Sequence, residues 1–488
     1  MRLTQALDRF STCRQNFIKR VWACTVAAMF IPAVLMGQQT ADGIVFQDGN
    51  GNNKLDSEDA RVSEVAVSNG KEVVLTNEEG YYSLPINEDG GKIFVIKPAG
   101  YELPLNGSNL PQFYYIHKPY GSPSSRYPGV TATGPLPDSI NFALQKTEKK
   151  QKYRVILFGD PQSRNVQEID YLDRDIISEL EGTGEFAFGL TLGDIVYNDL
   201  NLFSAHNESV EQIGIPWYNL IGNHDINFDA DSDRYSDETY EATYGPPTYS
   251  FNQGEAHFII LDDVIYPNNE GVRNYIGGFS DRQLTFIRND LKHVSTDKLI
   301  VLAFHIPLSL EEGYFRPEDR KELLKILDDY PNTLSLSAHR HQQEIHYLDT
   351  LSEGQMKNAK HSHKAGHSHS HSHSNSNKNA GKSKFKQFDK HPHFVVGTSG
   401  GDWWKGQPDD RGIPRSLMRD GTPNGYAMLN IDGNDYTLDY KAANYPSDYR
   451  MSIWGPMHVQ PEHYNWSTGN LYVNYFLGSS RTDIAYRI

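Results

Sequence analysis

Trp217-Tyr218-Asn219-Leu220-Ile221-Gly222-Asn223-His224-Asp225 is the stretch on which the reading of the chain turns. A short, mostly apolar run reads as a buried strand and stops at a glycine. An amide, an imidazole and a carboxylate then follow in immediate succession. Three polar side chains so close together serve no core. A loop at the end of a strand is where a scaffold presents such groups to a ligand.

Five more apolar runs end in the same way. Tyr153 to Phe158 ends at Gly159-Asp160-Pro161-Gln162, and Phe186 to Leu192 at Gly193-Asp194. His257 to Leu261 ends at Asp262-Asp263, Ile300 to Phe304 at His305-Ile306-Pro307, and Thr333 to Ser337 at Ala338-His339-Arg340-His341. Asp281 to Leu291 and Arg316 to Leu327 read as amphipathic helices between them, with Pro317 suited to the first turn of the second. Apolar strands alternating with helical stretches predict a layered α/β fold. The carboxyl ends of strands in such a sheet point to one edge, so Asp160, Gln162, Asp194, Asn223, His224, His305, His339 and His341 can converge. Oxygen and nitrogen donors of this kind suit divalent cations that perform hydrolysis. Two cations about 3.5–4 Å apart can hold a bridging hydroxide and clamp a phosphoryl group during in-line attack. A carboxylate between them offsets their repulsion.

The ordered set Asp160-x-Gln162, Gly193-Asp194, Gly222-Asn223-His224-Asp225, His305 and His339-x-His341 resembles the motifs of the calcineurin-like metallophosphoesterases over residues 153 to 345. The flanks resemble the N- and C-terminal modules that accompany this domain in some secreted bacterial members. The resemblance implies a two-sheet β-sandwich flanked by helices, and hydrolysis of a phosphomonoester or diester by a metal-bound hydroxide. It implies a first cation held by Asp160, Gln162, Asp194 and His341, and a second by Asp194, Asn223, His305 and His339, with Asp194 bridging. The implied metals are Mn, Zn or Fe. His224 becomes the general acid for the leaving oxygen, and Asp225 the group that orients it. Gln162 stands where most of the family has His; an amide oxygen is a harder donor than imidazole and shifts preference toward Mn. Ala338 replaces the usual Gly before the histidine pair. Arg164, Asn165 and Arg340 lie beside ligands, within reach of a phosphate. Asp199 reads as a surface charge.

Residues 38 to 148 read as a small β-sandwich module with strands at Gly43 to Phe46, Val62 to Val67, Glu72 to Leu75, Tyr81 to Ile86 and Ile93 to Ile96. Asn69-Gly70 marks a hairpin turn. Between the first two strands, Asp48, Asn50, Asn52, Asp56 and Asp59 fall at loop positions one, three, five, nine and twelve, the spacing of an EF-hand calcium loop. Asn53 replaces its turn glycine and Asp59 its bidentate Glu, and a structural Ca is the expectation. Gly121 to Pro137 is rich in Pro, Ser and Gly and reads as a linker. The metallophosphoesterase domain is expected at 149–356. At 357–390 the composition collapses to His, Ser, Lys and Asn, a low-complexity insertion able to scavenge Zn or Ni. A β-rich C-terminal module is expected at 391–488, with Trp403 and Trp404 after a glycine loop either lining a substrate pocket or sitting in the core.

A chain of 488 residues holds two to four domains. Its formal charge of −16 argues against a nucleic-acid coat, since phosphate neutralisation needs clustered Lys and Arg, yet a small phosphorylated substrate is compatible with bound cations. Arg2, Arg9, Arg14, Lys19 and Arg20 precede the apolar run Val21 to Met36, the layout of a secretory signal spanning 1–37. The run is short for a spanning helix, so export without a stable membrane span is expected. Both cysteines, Cys13 and Cys24, lie in that leader, leaving the mature chain without thiol chemistry. The alternative reading is an exported surface protein that binds glycan or metal around an inactive phosphoesterase core. Gln162 is what leaves room for it.

Overall fold

A computed structural model describes residues 39–349, 390–455, 471–479, 482–483 and 485. The leader expected at 1–37 and the His-rich stretch up to residue 389 lie outside the described residues.

Strands buried on both faces need apolar side chains at every position, and the central runs supply them. Phe188–Leu192, Ala256–Ile260 and Leu299–Ala303 are buried at all five positions. They lie in two sheets. One runs in the order Trp217–Leu220, Phe188–Leu192, Lys152–Phe158, Gly425–Asp432, Asp435–Ala442; its first three strands are parallel and the last two antiparallel to their neighbours. The other runs Tyr249–Gln253, Ala256–Ile260, Leu299–Ala303, Thr333–Ser337, His391–Val395, Glu344–Leu348, with four parallel strands inside and an antiparallel strand at each edge. The alternation of elements is borne out as a layered α/β fold, and the two sheets form the helix-flanked sandwich that the resemblance implies. Leu192 lies opposite Leu220, and Ala303 opposite Leu336, so the loops leaving neighbouring strands start at one level.

Helices cover the sheets. Asp281–Leu291 starts at a capping box, with Ser280 and Gln283 each bonding the other's backbone N–H, and buries Leu284, Phe286, Ile287 and Leu291. Pro317–Leu327 begins on its proline and buries Leu323, Leu324 and Leu327. Each such side chain contributes about 1.5–3 kcal/mol by leaving water. Among the described residues no helix is long and apolar enough to cross a membrane.

The N-terminal module has a five-stranded sheet built on Thr40–Gln47 and a four-stranded sheet built on Ala66–Ser68 and Gly91–Val95. The Asn69-Gly70 turn is the expected hairpin, with Ser68 opposite Val73. Phe94 meets Phe286 edge-on at 5.7 Å, which ties the module to the central helix layer. The stretch 121–137 is laid along the central domain: Arg126 N–H and Ser125 Oγ donate to Asp229, and the buried Tyr127 donates to the Asn198 carbonyl at 2.9 Å. Beyond residue 390, His391–Val395, Gly425–Asp432 and Asp435–Ala442 are hydrogen-bonded into the two central sheets, where they cover edges that would otherwise be unpaired. Met451–Trp454 and Tyr472–Tyr475 form a separate two-stranded antiparallel sheet.

Candidate metal centre

His305 begins the loop after Leu299–Ala303 and Phe304, and it is fully buried. Its Nδ1–H donates to the Leu192 carbonyl at 2.9 Å, which turns Nε2 inward. Around Nε2 stand Asn223 Oδ1 at 3.2 Å, His339 Nδ1 at 3.2 Å and Asp194 Oδ2 at 3.3 Å. Three such atoms turned on one buried Nε2 call for a positive charge between them, a proton or a cation. Burial works to lower the imidazole of His305, but the carboxylates of Asp194 and Asp160 outweigh it and push it up to about 10. Burial would raise Asp194, but His305 and His224 hold it below the usual carboxylate range. The donor set therefore fits a divalent cation.

Close approach of the loops requires glycine. Gly193 has φ +79°, and a Cβ there would come within 2.6 Å of His305 Nδ1; a Cβ on Gly222 would strike the Asp194 backbone and carboxylate. Asp160 lies on the other side, fully buried, with both oxygens accepting from His339 N–H at 3.1 and 3.0 Å. Burial pushes its carboxyl well up. Its Oδ1 is 4.0 Å from His305 Nε2 and 3.9 Å from His341 Nε2. Burial drives His341 down to about 4 and His339 lower than the usual imidazole range, so both are neutral and carry lone pairs for a cation. Gln162 is 3% exposed, and its Nε2 donates to Asp194 Oδ2 at 2.7 Å. Among the described residues, eight of the thirteen non-glycine residues with positive φ lie in these loops or in the neighbouring 398–404 loop: Asp160, Gln162, Asp194, Asn198, His339, His341, Trp403 and Trp404. Strain concentrated in this way marks a functional site.

His224 reaches the same point from Gly222-Asn223. Its backbone N–H donates to Asp194 Oδ1 at 2.8 Å, its ring stacks on Tyr197 at 4.4 Å, and its Nδ1 bonds Asn198 Oδ1 at 2.6 Å. Burial lowers its pKa, partly opposed by Asp194. Asp225 is corrected by this geometry. It was expected to orient His224, but its two oxygens accept from the backbone N–H groups of Gly222, Ile195 and Val196 at 2.9, 3.1 and 3.1 Å. It pins the two metal loops together, and Asn198 holds the imidazole.

Residues 153–343 match the calcineurin-like phosphoesterase family, residues 49–127 match the N terminal of calcineurin-like phosphoesterase, and residues 393–488 match its C-terminal counterpart. The chain is a calcineurin-like phosphoesterase. Members of this family are enzymes that act on phosphorylated substrates with divalent metals. No curated protein matches the chain. Among solved structures, PhoD is 11% identical, with 89% of this chain and 88% of that chain covered and a TM-score of 0.38. GAP50, the anchor in the inner membrane complex of Plasmodium, is 13% identical, with 67% and 89% covered and a TM-score of 0.33.

In this phosphoesterase the residues beside the ligands have local tasks. Arg164 pairs with Glu168 and donates to the Trp403 carbonyl at 3.2 Å; Asn165 caps the helix Val166–Leu172; Arg340 pairs with Glu344 at 3.4 Å. Asp199 caps a single turn at Leu200–Leu202. Trp403 joins the site, with its ring 4.8 Å from that of His341, whereas Trp404 is buried against Tyr171. Sequence reasoning missed Asn198, Tyr197 and Asp263. Asp263 accepts from the N–H groups of His305 and Ile306 and so sets the His305 loop; the paired Asp at the end of its strand was the available signal. Remote from the site, the Asn50 and Asn52 amides both donate to Asp56 Oδ2, at 2.9 and 2.8 Å. Asp48 accepts from the backbone N–H groups of Gly51 and Asn53, and Asp59 from those of Gly49 and Asp56, so these carboxylates brace the loop backbone. Asn53 takes the left-handed φ of +61° that a turn glycine would take. A second carboxylate group, Asp237, Glu238 and Glu241, is matched by Lys92 and Lys118.

Proposed function

We propose that the chain is an exported phosphoesterase whose centre holds two divalent cations, Mn, Zn or Fe, bridged by Asp194, and hydrolyses a small phosphomonoester or diester. The observation that carries this is the position of one oxygen. Asp194 Oδ2 lies 3.3 Å from His305 Nε2 and 2.7 Å from Gln162 Nε2, at the boundary between the two candidate ligand sets. Asn223, His305 and His339 complete one set, and Asp160 and His341 stand in the other. Held by these residues, a cation pair would supply Lewis acidity, lowering the pKa of water and offsetting the charge of the phosphoryl oxygens. The residues of the chain do the rest. Asp225 and Asp263 hold the loops in register, and the buried strand ends exclude water. Asn198 holds the Nδ1 side of the His224 ring, so Nε2 is the atom that would pass a proton to the leaving oxygen.

The basic and apolar N-terminus supports export, and cleavage after Gly37 would leave a mature chain free of cysteine. In the oxidising space outside the cytoplasm, where calcium is plentiful, the loop Asp48 to Asp59 would take a structural Ca. Hydrolysis of p-nitrophenyl phosphate and of its bis ester by metal-stripped protein, with and without added Mn, tests the assignment. Turnover that appears with Mn and disappears with chelator supports it. Absence of metal-dependent turnover on either ester refutes it, and the ratio of the two rates separates monoesterase from diesterase.

A further inference from the structure

Trp403 stands behind Gln162 on the side away from Asp194. Its indole N–H donates to Gln162 Oε1 at 2.6 Å, while Gln162 Nε2 donates to Asp194 Oδ2 at 2.7 Å. An indole nitrogen only donates, so the amide atom it meets is the oxygen. A carboxylate only accepts, so the amide atom facing Asp194 is the nitrogen. The two ends fix the same orientation independently. Turning the amide over would set N–H against N–H at one end and oxygen against carboxylate at the other. At 3% exposure no bulk water is available to compensate.

The loop that delivers Trp403 is held in place from several directions. Trp403 has φ +63° and Trp404 +49°, conformations that aromatic residues rarely adopt. Thr398 Oγ1 donates to the Gly401 carbonyl at 2.7 Å and Ser416 Oγ to the Gly400 carbonyl at 2.9 Å. Arg164 reaches the Trp403 carbonyl, and Lys405 Nζ lies 4.4 Å over its ring. Asp402, one residue earlier, places Oδ1 3.7 Å from His341 Nδ1, and neither atom has a hydrogen-bond partner among the described residues. One loop thus backs both Gln162 and His341.

Building on the dinuclear reading above, we propose that Trp403 is a positioning residue that turns the Gln162 nitrogen, not its oxygen, toward the cation position beside Asp160 and His341. Gln162 then acts as a hydrogen-bond donor to the shared carboxylate. Asp160, Asp194 and His341 are the protein ligands of that position, against four at the other: Asp194, Asn223, His305 and His339. The two cations bind unequally, and the one beside His341 is the weaker.

The test is a titration of metal-stripped protein with Mn alone, free ion being read by electron paramagnetic resonance. The wild type is expected to show two classes of site, the second about 10- to 100-fold weaker. Trp403→Phe keeps a ring beside His341 and Lys405 but removes the N–H; the amide is freed to present oxygen, and the weaker class tightens. Gln162→Leu removes both ends of the amide and costs the weaker cation less than about tenfold in affinity, which is small for a lost ligand. Two sites of equal affinity in the wild type, no tightening in Trp403→Phe, or loss of the weaker cation in Gln162→Leu overturns the proposal and leaves the dinuclear reading standing. Binding of fewer than two Mn ions by all three proteins overturns both.

Discussion

The Leu192 carbonyl accepts the Nδ1–H of His305 at 2.9 Å, a bond between the ends of strands in different sheets. It joins the two halves of the sandwich at the point where the candidate ligands meet. It also aims His305 Nε2 at Asn223, His339 and Asp194. His305→Ala and Asp194→Asn are therefore expected to lose both metal and turnover, with a fall in metal affinity beyond the about 10- to 100-fold typical of an outer partner. Elemental analysis of the purified variants, alongside kinetics, checks this.

His224 touches no candidate cation ligand through its ring; its imidazole lies between Tyr197 and Asn198. His224→Ala should keep its metal content and lose about 10²- to 10⁴-fold in kcat, the span of general acid catalysis. Asn198→Ala frees the ring without removing it, so a smaller fall in kcat with unchanged metal is expected. Steady-state kinetics paired with metal counts separates the two effects, and a fully active His224→Ala protein removes the assigned role.

Asp225 accepts three backbone N–H groups from two loops and is fully buried. Asp225→Asn puts an amide N–H against one of those donors. The expected loss is roughly 1–3 kcal/mol, the scale of a buried donor left without its acceptor. Urea unfolding of the variant reads it directly. A catalytic defect at unchanged stability would instead restore Asp225 to the chemistry.

Lys97 links the N-terminal module to the central sheet. Its Nζ donates to the Tyr101 carbonyl at 3.0 Å and to Gln253 Oε1 at 2.7 Å, with Glu102 3.8 Å away. Burial pulls its ammonium down to about 8, opposed by Glu102. A depressed ammonium is penalised while it is charged, so stability is reduced below the folded pKa and recovered as pH rises from there toward the unfolded value. The stability of the wild type relative to Lys97→Met should rise by on the order of 2–3 kcal/mol between about pH 7 and about pH 10. Denaturant unfolding of both proteins at the two pH values measures the difference, and a pH-independent difference contradicts it.

The calcium site proposed at Asp48 to Asp59 predicts an effect confined to stability. Added Ca should raise the Tm of the wild type, by an amount corresponding to about 2.7 kcal/mol at roughly a hundred times the Kd. Asp56→Ala, which removes the oxygen that Asn50 and Asn52 share, should show no such rise. Phosphoesterase activity should be the same in both proteins, since the loop lies in another module.

Much of the centre was legible because its ligands follow apolar runs. Parallel strands buried on both faces announce themselves as such runs, and Thr333–Ser337 and Asp281–Leu291 fall where hydrophobic periodicity places them. What lay hidden was set by contacts between distant loops. Nothing in the sequence near Asn198 says that its side chain meets His224. Nothing near Trp403 says that it meets Gln162 across 241 positions of chain. The strands Gly425–Asp432 and Asp435–Ala442 read as part of a separate module because alternation reveals that a strand exists and not which sheet it joins. Asp225 misled for a related reason: adjacency to His224 in sequence suggested a shared task, while the turn between them sends the two side chains to different partners.

The most direct test is anomalous diffraction at the manganese edge from crystals soaked in saturating Mn. Two peaks flanking Asp194 are expected, one beside His305 and His339 and the other beside Asp160 and His341. A single peak, or peaks remote from Asp194, would contradict a centre built from these strand ends.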